Sequence, residues 1–197
     1  MDAPRNLKGR IGEAFVETIL REAGYTVCRG GRESQMPRLF RIQEGEFLPD
    51  FFAWKPAGTL VNGAPVHRLL CVEVKFRSRP KDLLRPSELD PLLQAAAYWP
   101  ELYLVLVTDD PEPGRSCFQL LDLKECERNP DSPLATADLH KSDSLGIDKS
   151  ITDRYEGLVR RVFSPFREED EPRKPLAKLP MVRKVPAEGR STGGIRA

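Results

Sequence analysis

A chain of 197 residues, 40% apolar and 31% charged, has the length and composition of one soluble globular domain with some extra sequence at an end. No apolar run approaches the roughly 18 residues that span a bilayer, and the first residues lack the apolar centre of a secretion signal. We therefore expect a cytoplasmic protein without a membrane partner. The net charge of +1 says little about other partners, because Lys and Arg are concentrated between residues 75 and 85.

The thiols and imidazoles show no pattern typical of a metal centre. Four cysteines are scattered without a C-x-x-C pair, at Cys28, Cys71, Cys117 and Cys126. This spacing favours reduced thiols over a zinc site, an iron–sulfur cluster or a disulfide framework. His67 and His140 stand alone, so a histidine-based metal site or catalytic triad is not expected.

The first predicted element is a helix over residues 7–23, where apolar residues recur at helical spacing and Gly24 follows as a C-cap. Glu13 precedes Val16 by three residues and so lies along the stripe that should face a sheet. An early glutamate can equally be a surface charge that complements the helix dipole.

A strand is predicted at 47–54, after a Gly- and Arg-rich stretch at 29–46 that favours a loop or an irregular hairpin. Asp50 is the one charge of this strand. Pro49 favours extended backbone and removes one ladder donor, which indicates a sheet edge or a bulge. Turn residues at 55–65 then predict a hairpin to the next strand.

The strand predicted at 69–76 is the one around which a site is expected. Because side chains alternate along a strand, Val72 and Val74 lie on an apolar face, whereas Glu73 and Lys75 lie on the other. A charge beside a core needs a partner, a hydrogen bond or a metal. The alternative, which involves no functional site, is a cross-strand ion pair on a solvated face.

The next predicted helix has Asp90 as its N-cap and Pro91 at its first position, and it ends before Pro100. Gln94 and Tyr98 are four residues apart and therefore share one face. Ordinary residues of a short amphipathic helix have the same spacing, so this pair alone does not identify a site.

The remaining pattern completes one domain. A strand buried on both faces is predicted at 102–108 and another at 117–122, 123–146 is uninformative, and 147–162 has helical periodicity. We expect an α/β fold over residues 1–166, with a mixed sheet of four or five strands and helices on both sides.

Residues 167–197 have no apolar periodicity and are predicted to be a basic, proline-containing disordered tail. Between Arg173 and Ala197 there are seven Lys or Arg residues and one acid. Contact with nucleic acid and a solvated spacer both remain open for this segment.

The order of these charged residues resembles the PD-(D/E)xK nuclease superfamily, whose fold is restriction-endonuclease-like. Pro49-Asp50 matches the "PD" of that family, and Glu73-Val74-Lys75 matches its "ExK". The resemblance covers about residues 7–122 and implies a phosphodiester hydrolase.

Two further segments are similar to particular branches of the superfamily. The run from Lys8 to Glu13 is similar to the helix by which Holliday-junction-resolvase-like members present an additional glutamate. Gln94-Ala-Ala-Ala-Tyr98 is similar to the Q-x-x-x-Y motif of the lambda-exonuclease and RecB-like branch. The cysteines do not match the cluster of some RecB-like members, so no iron–sulfur cluster is expected.

The resemblance implies that Asp50, Glu73 and the Val74 carbonyl bind Mg²⁺ or Mn²⁺, metals that prefer hard oxygen ligands. It implies that Glu13 binds a second metal ion or holds a metal-bound water. It also implies that Lys75 orients or deprotonates the attacking water, or stabilises the developing phosphorane charge.

Substrate contacts follow from the same resemblance. Gln94 and Tyr98 would position the strand that is cut. Four cations after the central strand would contact phosphates without reading bases, namely Arg77, Arg79, Lys81 and Arg85. A solvated basic loop is the alternative for these four residues.

The sequence therefore predicts a metal-dependent deoxyribonuclease, preferably one that processes DNA ends or single strands. A structure-specific, Holliday-junction-resolvase-like endonuclease is the alternative within the same class. A non-catalytic nucleic-acid-binding or scaffold module that retains the fold is the alternative of a different class. RNA as substrate and a homodimer both remain open.

Overall fold

The computed structural model describes residues 3–30, 47–61, 64–78, 86–99, 101–123 and 136–166. Within these ranges the chain forms three α-helices, α1 (Ala3–Glu22), α2 (Pro86–Tyr98) and α3 (Lys149–Phe163). The same ranges contain six strands: β1 (Thr26–Arg29), β2 (Phe51–Val61), β3 (Ala64–Phe76), β4 (Leu102–Val107), β5 (Phe118–Asp122) and β6 (Ala137–Asp138).

The six strands form one sheet in the order β1-β2-β3-β4-β5-β6. β3 and β4 are parallel, and each other neighbouring pair is antiparallel. The connection between β3 and β4 contains α2, as a crossover between parallel strands requires. A mixed sheet flanked by helices confirms the predicted α/β class. The sheet exceeds the predicted four or five strands by β6, which has two residues and is too short to show a periodic pattern.

Alternation along β3 gives the predicted apolar face, and the opposite face also contributes to an apolar cluster. Val72 and Val74 pack in one cluster with Ile19 of α1. Cys71 packs in the other cluster with Leu92 of α2. Since neighbouring strand residues point to opposite faces, the side chains of β3 bind helices on both sides of the sheet.

The β2–β3 hairpin is longer than predicted, because both strands continue into the segment 55–65 that was expected to be a turn. The pairing is irregular between Pro56 and Leu60, where Gly58 has a positive φ of 74°. An irregular ladder lets the chain keep strand pairing despite Pro56, which cannot donate a backbone hydrogen bond.

The second helix was predicted to begin at Asp90 and Pro91, but α2 begins at Pro86 and contains Pro91 in its interior. Pro91 removes one backbone hydrogen bond from the helix. Tertiary contacts hold the extra first turn, since Leu89 packs against the apolar cluster and Glu88 bonds Arg77 of the β3 end. The prediction of a helix start at Asp90 was therefore wrong.

None of the described helices is both long enough and apolar enough to cross a membrane. Cys28, Cys71 and Cys117 are free thiols, and Cys126 lies outside the described residues. The predicted tail at 167–197 also lies outside them, so the domain boundary expected at residue 166 stays a prediction.

Candidate active site

Asp50 and Glu73 lie next to each other, Asp50 directly before the start of β2 and Glu73 near the end of β3. The last regular pair at this end of the two strands is Phe51 with Val72. Asp50 precedes Phe51 and Glu73 follows Val72, so the antiparallel register places the two acids next to each other. Two carboxyl groups can share one ion only if they lie close together, and a side-chain hydrogen bond between Asp50 and Glu73 shows that these two do.

Val74 connects the two strands beyond their last pair. Its N–H donates a 2.8 Å hydrogen bond to Oδ2 of Asp50. The N–H and C=O of one strand residue point toward the same neighbouring strand, so the carbonyl of Val74 also points toward the Asp50 side. This is the carbonyl that was predicted to be a metal ligand.

Glu73 is a buried carboxyl group, with 5% of the residue exposed. Burial, and next the charge of Asp50, raises the pKa of Glu73 to about 7. Nζ of Lys75 donates to Oε1 of Glu73, and the N–H of Asp50 donates to the same carboxyl group. These contacts favour the charged form, yet they do not outweigh the burial of Glu73.

Asp50 is perturbed in the same direction. Burial raises the pKa of Asp50, although the Val74 N–H and the charge of Lys75 favour its ionised form. A side-chain hydrogen bond joins Asp50 to Glu73. Burial raises the pKa values of both carboxyl groups, and the charge of Asp50 raises that of Glu73 further. Two buried acids beside one lysine form a site with excess negative charge, which a proton or a cation would stabilise.

Glu13 lies within electrostatic range of this pair. It is half-buried, and burial followed by the charge of Asp50 raises the pKa of Glu13. Gly12, the preceding residue, faces the sheet, where a Cβ would meet the side chain of Val107 at 3.7 Å, an ordinary van der Waals distance. The packing of α1 on the sheet thus brings a third acid toward the start of β2 and the end of β3.

The donor set fits a hard divalent cation. In the described part of the chain, no three His, Cys, Asp or Glu side chains form a group that could hold a metal by themselves. Mg²⁺ nevertheless commonly binds through one or two protein carboxylates, with water and substrate phosphate as the remaining ligands. Asp50 and Glu73 could supply those two carboxylates. Burial raises the pKa values of both, so their charged forms are costly unless a cation is bound.

The predicted substrate-binding residues are less closely tied to this cluster. Arg77 bonds Glu88 of α2 at 2.7 Å. Gln94 and Tyr98 lie on the exposed side of α2, where Tyr98 is 83% exposed. Their roles stay predictions. The other three basic residues of the set, Arg79, Lys81 and Arg85, lie outside the described residues.

Sequence reasoning missed the contribution of Arg29 and Gly30 at the end of β1, because both residues were assigned to the loop at 29–46. Arg29 bonds Glu17 of α1 with Nη2 and Oε2 2.6 Å apart, and its charge lowers the pKa values of both Glu13 and Asp50. The N–H of Gly30 donates to the backbone oxygen of Asp50 at 2.8 Å. Glycine at the end of a strand can mark a close backbone approach, and that signal was present at residue 30.

No protein-family model matches the sequence, and no curated protein matches it. A solved structure similar to this chain is that of Archaeoglobus fulgidus Hjc, a Holliday junction resolvase from an archaeal hyperthermophile. The two are 18% identical, the match covers 77% of this chain and 99% of that chain, and the TM-score is 0.37.

Proposed function

We propose that this protein is a metal-dependent nuclease that hydrolyses DNA phosphodiester bonds. Its catalytic site would be formed by Asp50, Glu73 and Lys75. The observation that carries the proposal is a pair of hydrogen-bonded, mostly buried carboxyl groups, Asp50 directly before β2 and Glu73 on the adjacent strand β3, with Lys75 bonded to Glu73. Buried like charges are costly, and apolar residues of similar volume would often be more stable. A use for the excess negative charge explains why the arrangement is present.

Asp50, Glu73 and the Val74 carbonyl would hold Mg²⁺ or Mn²⁺, which when bound supplies Lewis-acid stabilisation of phosphoryl charge. Lys75 is placed by its bond to Glu73 and would donate to the attacking water or to a phosphate oxygen. Burial and the charge of Asp50 raise the pKa of Glu13, and its carboxyl group would bind a second metal ion or hold a metal-bound water.

Two modes of DNA cleavage fit this site, and each is supported by different residues. Processing of ends or single strands relies on Gln94 and Tyr98, which lie on the exposed side of α2. A structure-specific endonuclease of the Holliday-junction-resolvase-like kind relies on α1, which brings Glu13 within electrostatic range of Asp50. Because Glu13 is already coupled to the carboxyl pair, we favour the structure-specific mode.

The decisive experiment compares the wild-type protein with Lys75→Met on single-stranded, duplex and four-way-junction DNA, with Mg²⁺, with Mn²⁺ and with chelator. Lys75→Met should cut about 10²–10⁴-fold more slowly, the usual range for losing a positioned proton-transfer group. Lys149→Met is the matched control, since Lys149 is an exposed lysine paired with Asp153 of α3. The control should cut like the wild-type protein.

The alternative of a non-catalytic binding module gives a different result. DNA would then be bound, yet the wild-type protein and Lys75→Met would leave every substrate intact in both metals. Equal cutting by the two proteins would also overturn the proposed role of Lys75.

A further inference from the structure

Gly30 lies directly behind the Pro49–Asp50 segment and has no room for a side chain. A Cβ built on Gly30 would lie 1.9 Å from the carbonyl oxygen of Pro49 and 3.2 Å from the ring of Phe52. Real Cβ atoms essentially never approach closer than 3.0 Å. Gly30 does not have a left-handed φ, so the close approach of Pro49 is what requires glycine here.

The same residue is bonded to the next peptide of that segment. The N–H of Gly30 donates to the backbone oxygen of Asp50 at 2.8 Å. The carboxylate of Asp50 in turn accepts from the N–H of Val74, also at 2.8 Å. A continuous chain of contacts therefore runs from the end of β1, through Asp50, to the end of β3.

The neighbours of Gly30 cannot easily move to admit a methyl group. Pro49 meets it with backbone atoms, its φ is fixed by the ring, and Phe52 is fully buried. Relieving the contact from 1.9 Å to the ordinary range that starts at 3.4 Å would need a shift of about 1.5 Å. A misplacement of about 1 Å can cost roughly 10²-fold in rate.

We propose that Gly30 is a positioning residue for the reaction. Because it has no Cβ, the Pro49 carbonyl can pack closely against its Cα, and this contact fixes the position of the Asp50 carboxylate beside Val74 and Glu73. The catalytic consequence rests on the proposed nuclease function. The contact between Gly30 and Pro49 is a geometric property of the fold, and its effect on Asp50 can be tested without any substrate.

The test compares Gly30→Ala with Gly157→Ala, an α3 variant whose new Cβ would meet nothing within 4 Å. In metal-free protein, Gly30→Ala should speed hydrogen exchange of the Val74 amide by about tenfold or more, because the bond to Asp50 is lost. On DNA, its kcat should fall by about 10²-fold while KM changes by less than about threefold. Gly157→Ala should leave the kinetics unchanged and should not speed exchange of the Val74 amide, because alanine stabilises a helix interior relative to glycine.

Wild-type exchange at Val74 together with wild-type kcat in Gly30→Ala would overturn the proposal. If the wild-type protein cuts no DNA, the proposed function fails. The exchange rate of the Val74 amide alone then decides whether Gly30 fixes the position of Asp50.

If Gly30→Ala does not fold, native-state exchange of the wild-type protein in low denaturant decides the question. The Gly30 and Val74 amides should then open together, with the same dependence on denaturant. Separate openings of these two amides would overturn the proposal.

Discussion

The carboxylate of Asp50 accepts a 2.8 Å hydrogen bond from the backbone N–H of Val74 and so takes the place that strand β2 would occupy beside β3. β2 begins only at Phe51, which pairs with Val72. The side chain of Asp50 therefore satisfies a backbone donor that the ladder no longer reaches. One hydrogen bond both closes the sheet at this point and holds a carboxylate beside Glu73.

The first prediction concerns stability as a function of pH. The pKa of Glu73 is raised from the ordinary 4.5 to about 7, so the folded state holds this proton more tightly than the unfolded state does. Its contribution to stability is fully present below about pH 4.5 and is lost as the pH rises through about 7. Glu73→Gln has no group that titrates at this position, so its stability should not fall in this way. Between pH 4.5 and pH 8, its free energy of unfolding should therefore rise relative to that of wild type by up to roughly 3 kcal/mol.

Urea unfolding in chelator across this pH range measures the difference, and Glu112→Gln is the control because Glu112 is an exposed acid on a loop. Glu73→Gln should also lose DNA cleavage. A stability difference that stays flat with pH would contradict the raised pKa of Glu73.

The second prediction concerns the metal. Mg²⁺ that binds the folded protein should stabilise wild type by about 2.7 kcal/mol at a concentration 100-fold above its Kd. Binding near pH 7 should also release about half a proton per ion, since Glu73 has a pKa of about 7 and must lose its proton to bind a cation. Calorimetry in buffers of different ionisation enthalpy measures that release.

Asp50→Asn should lose most of the stabilisation by Mg²⁺, whereas Glu112→Gln should keep it. Equal stabilisation of wild type and Asp50→Asn would place the ion elsewhere on the protein.

Much of this geometry follows from sequence periodicity. Alternation in β3 fixes which face carries Glu73 and Lys75, because the side-chain period of a strand is two. Turn residues predict the β2–β3 hairpin, and a hairpin with Asp50 on one arm and Glu73 on the other brings the two acids together. These relationships are short-range, so the local pattern is sufficient to predict them.

Other features depend on contacts between distant parts of the chain. The close approach of Gly30 to Pro49 joins β1 to the start of β2 across a long connection. Glycine at residue 30 can mark such an approach, but the local pattern does not show which segment approaches. β6 depends on pairing with β5 and on Asp138, whose carboxylate bonds Arg115 at 2.8 Å. The early start of α2 likewise depends on Glu88 reaching an arginine at the end of β3.

The third prediction tests the contribution of α1. Glu13→Gln should lower kcat by about 10–10²-fold, at the lower end of what a positioned acid or base supplies. Its folding should be retained, because burial and the charge of Asp50 already disfavour a charged Glu13. Glu22→Gln, at the other end of α1, loses the bond to Arg154 and should leave kcat unchanged. Unchanged kcat in Glu13→Gln would remove α1 from the proposed site.

The last prediction separates the two modes of cutting. A structure-specific endonuclease should make paired incisions in a synthetic four-way junction and leave linear duplex ends intact. Tyr98 is 83% exposed, so Tyr98→Ala should change stability by less than about 0.5 kcal/mol and should cut the junction as wild type does. The opposite outcome would be degradation of linear ends, an intact closed circular duplex, and a raised KM for single strands in Tyr98→Ala that Tyr98→Phe restores. That outcome would assign the strand-binding role to the exposed side of α2 and would show that the end-processing mode is correct.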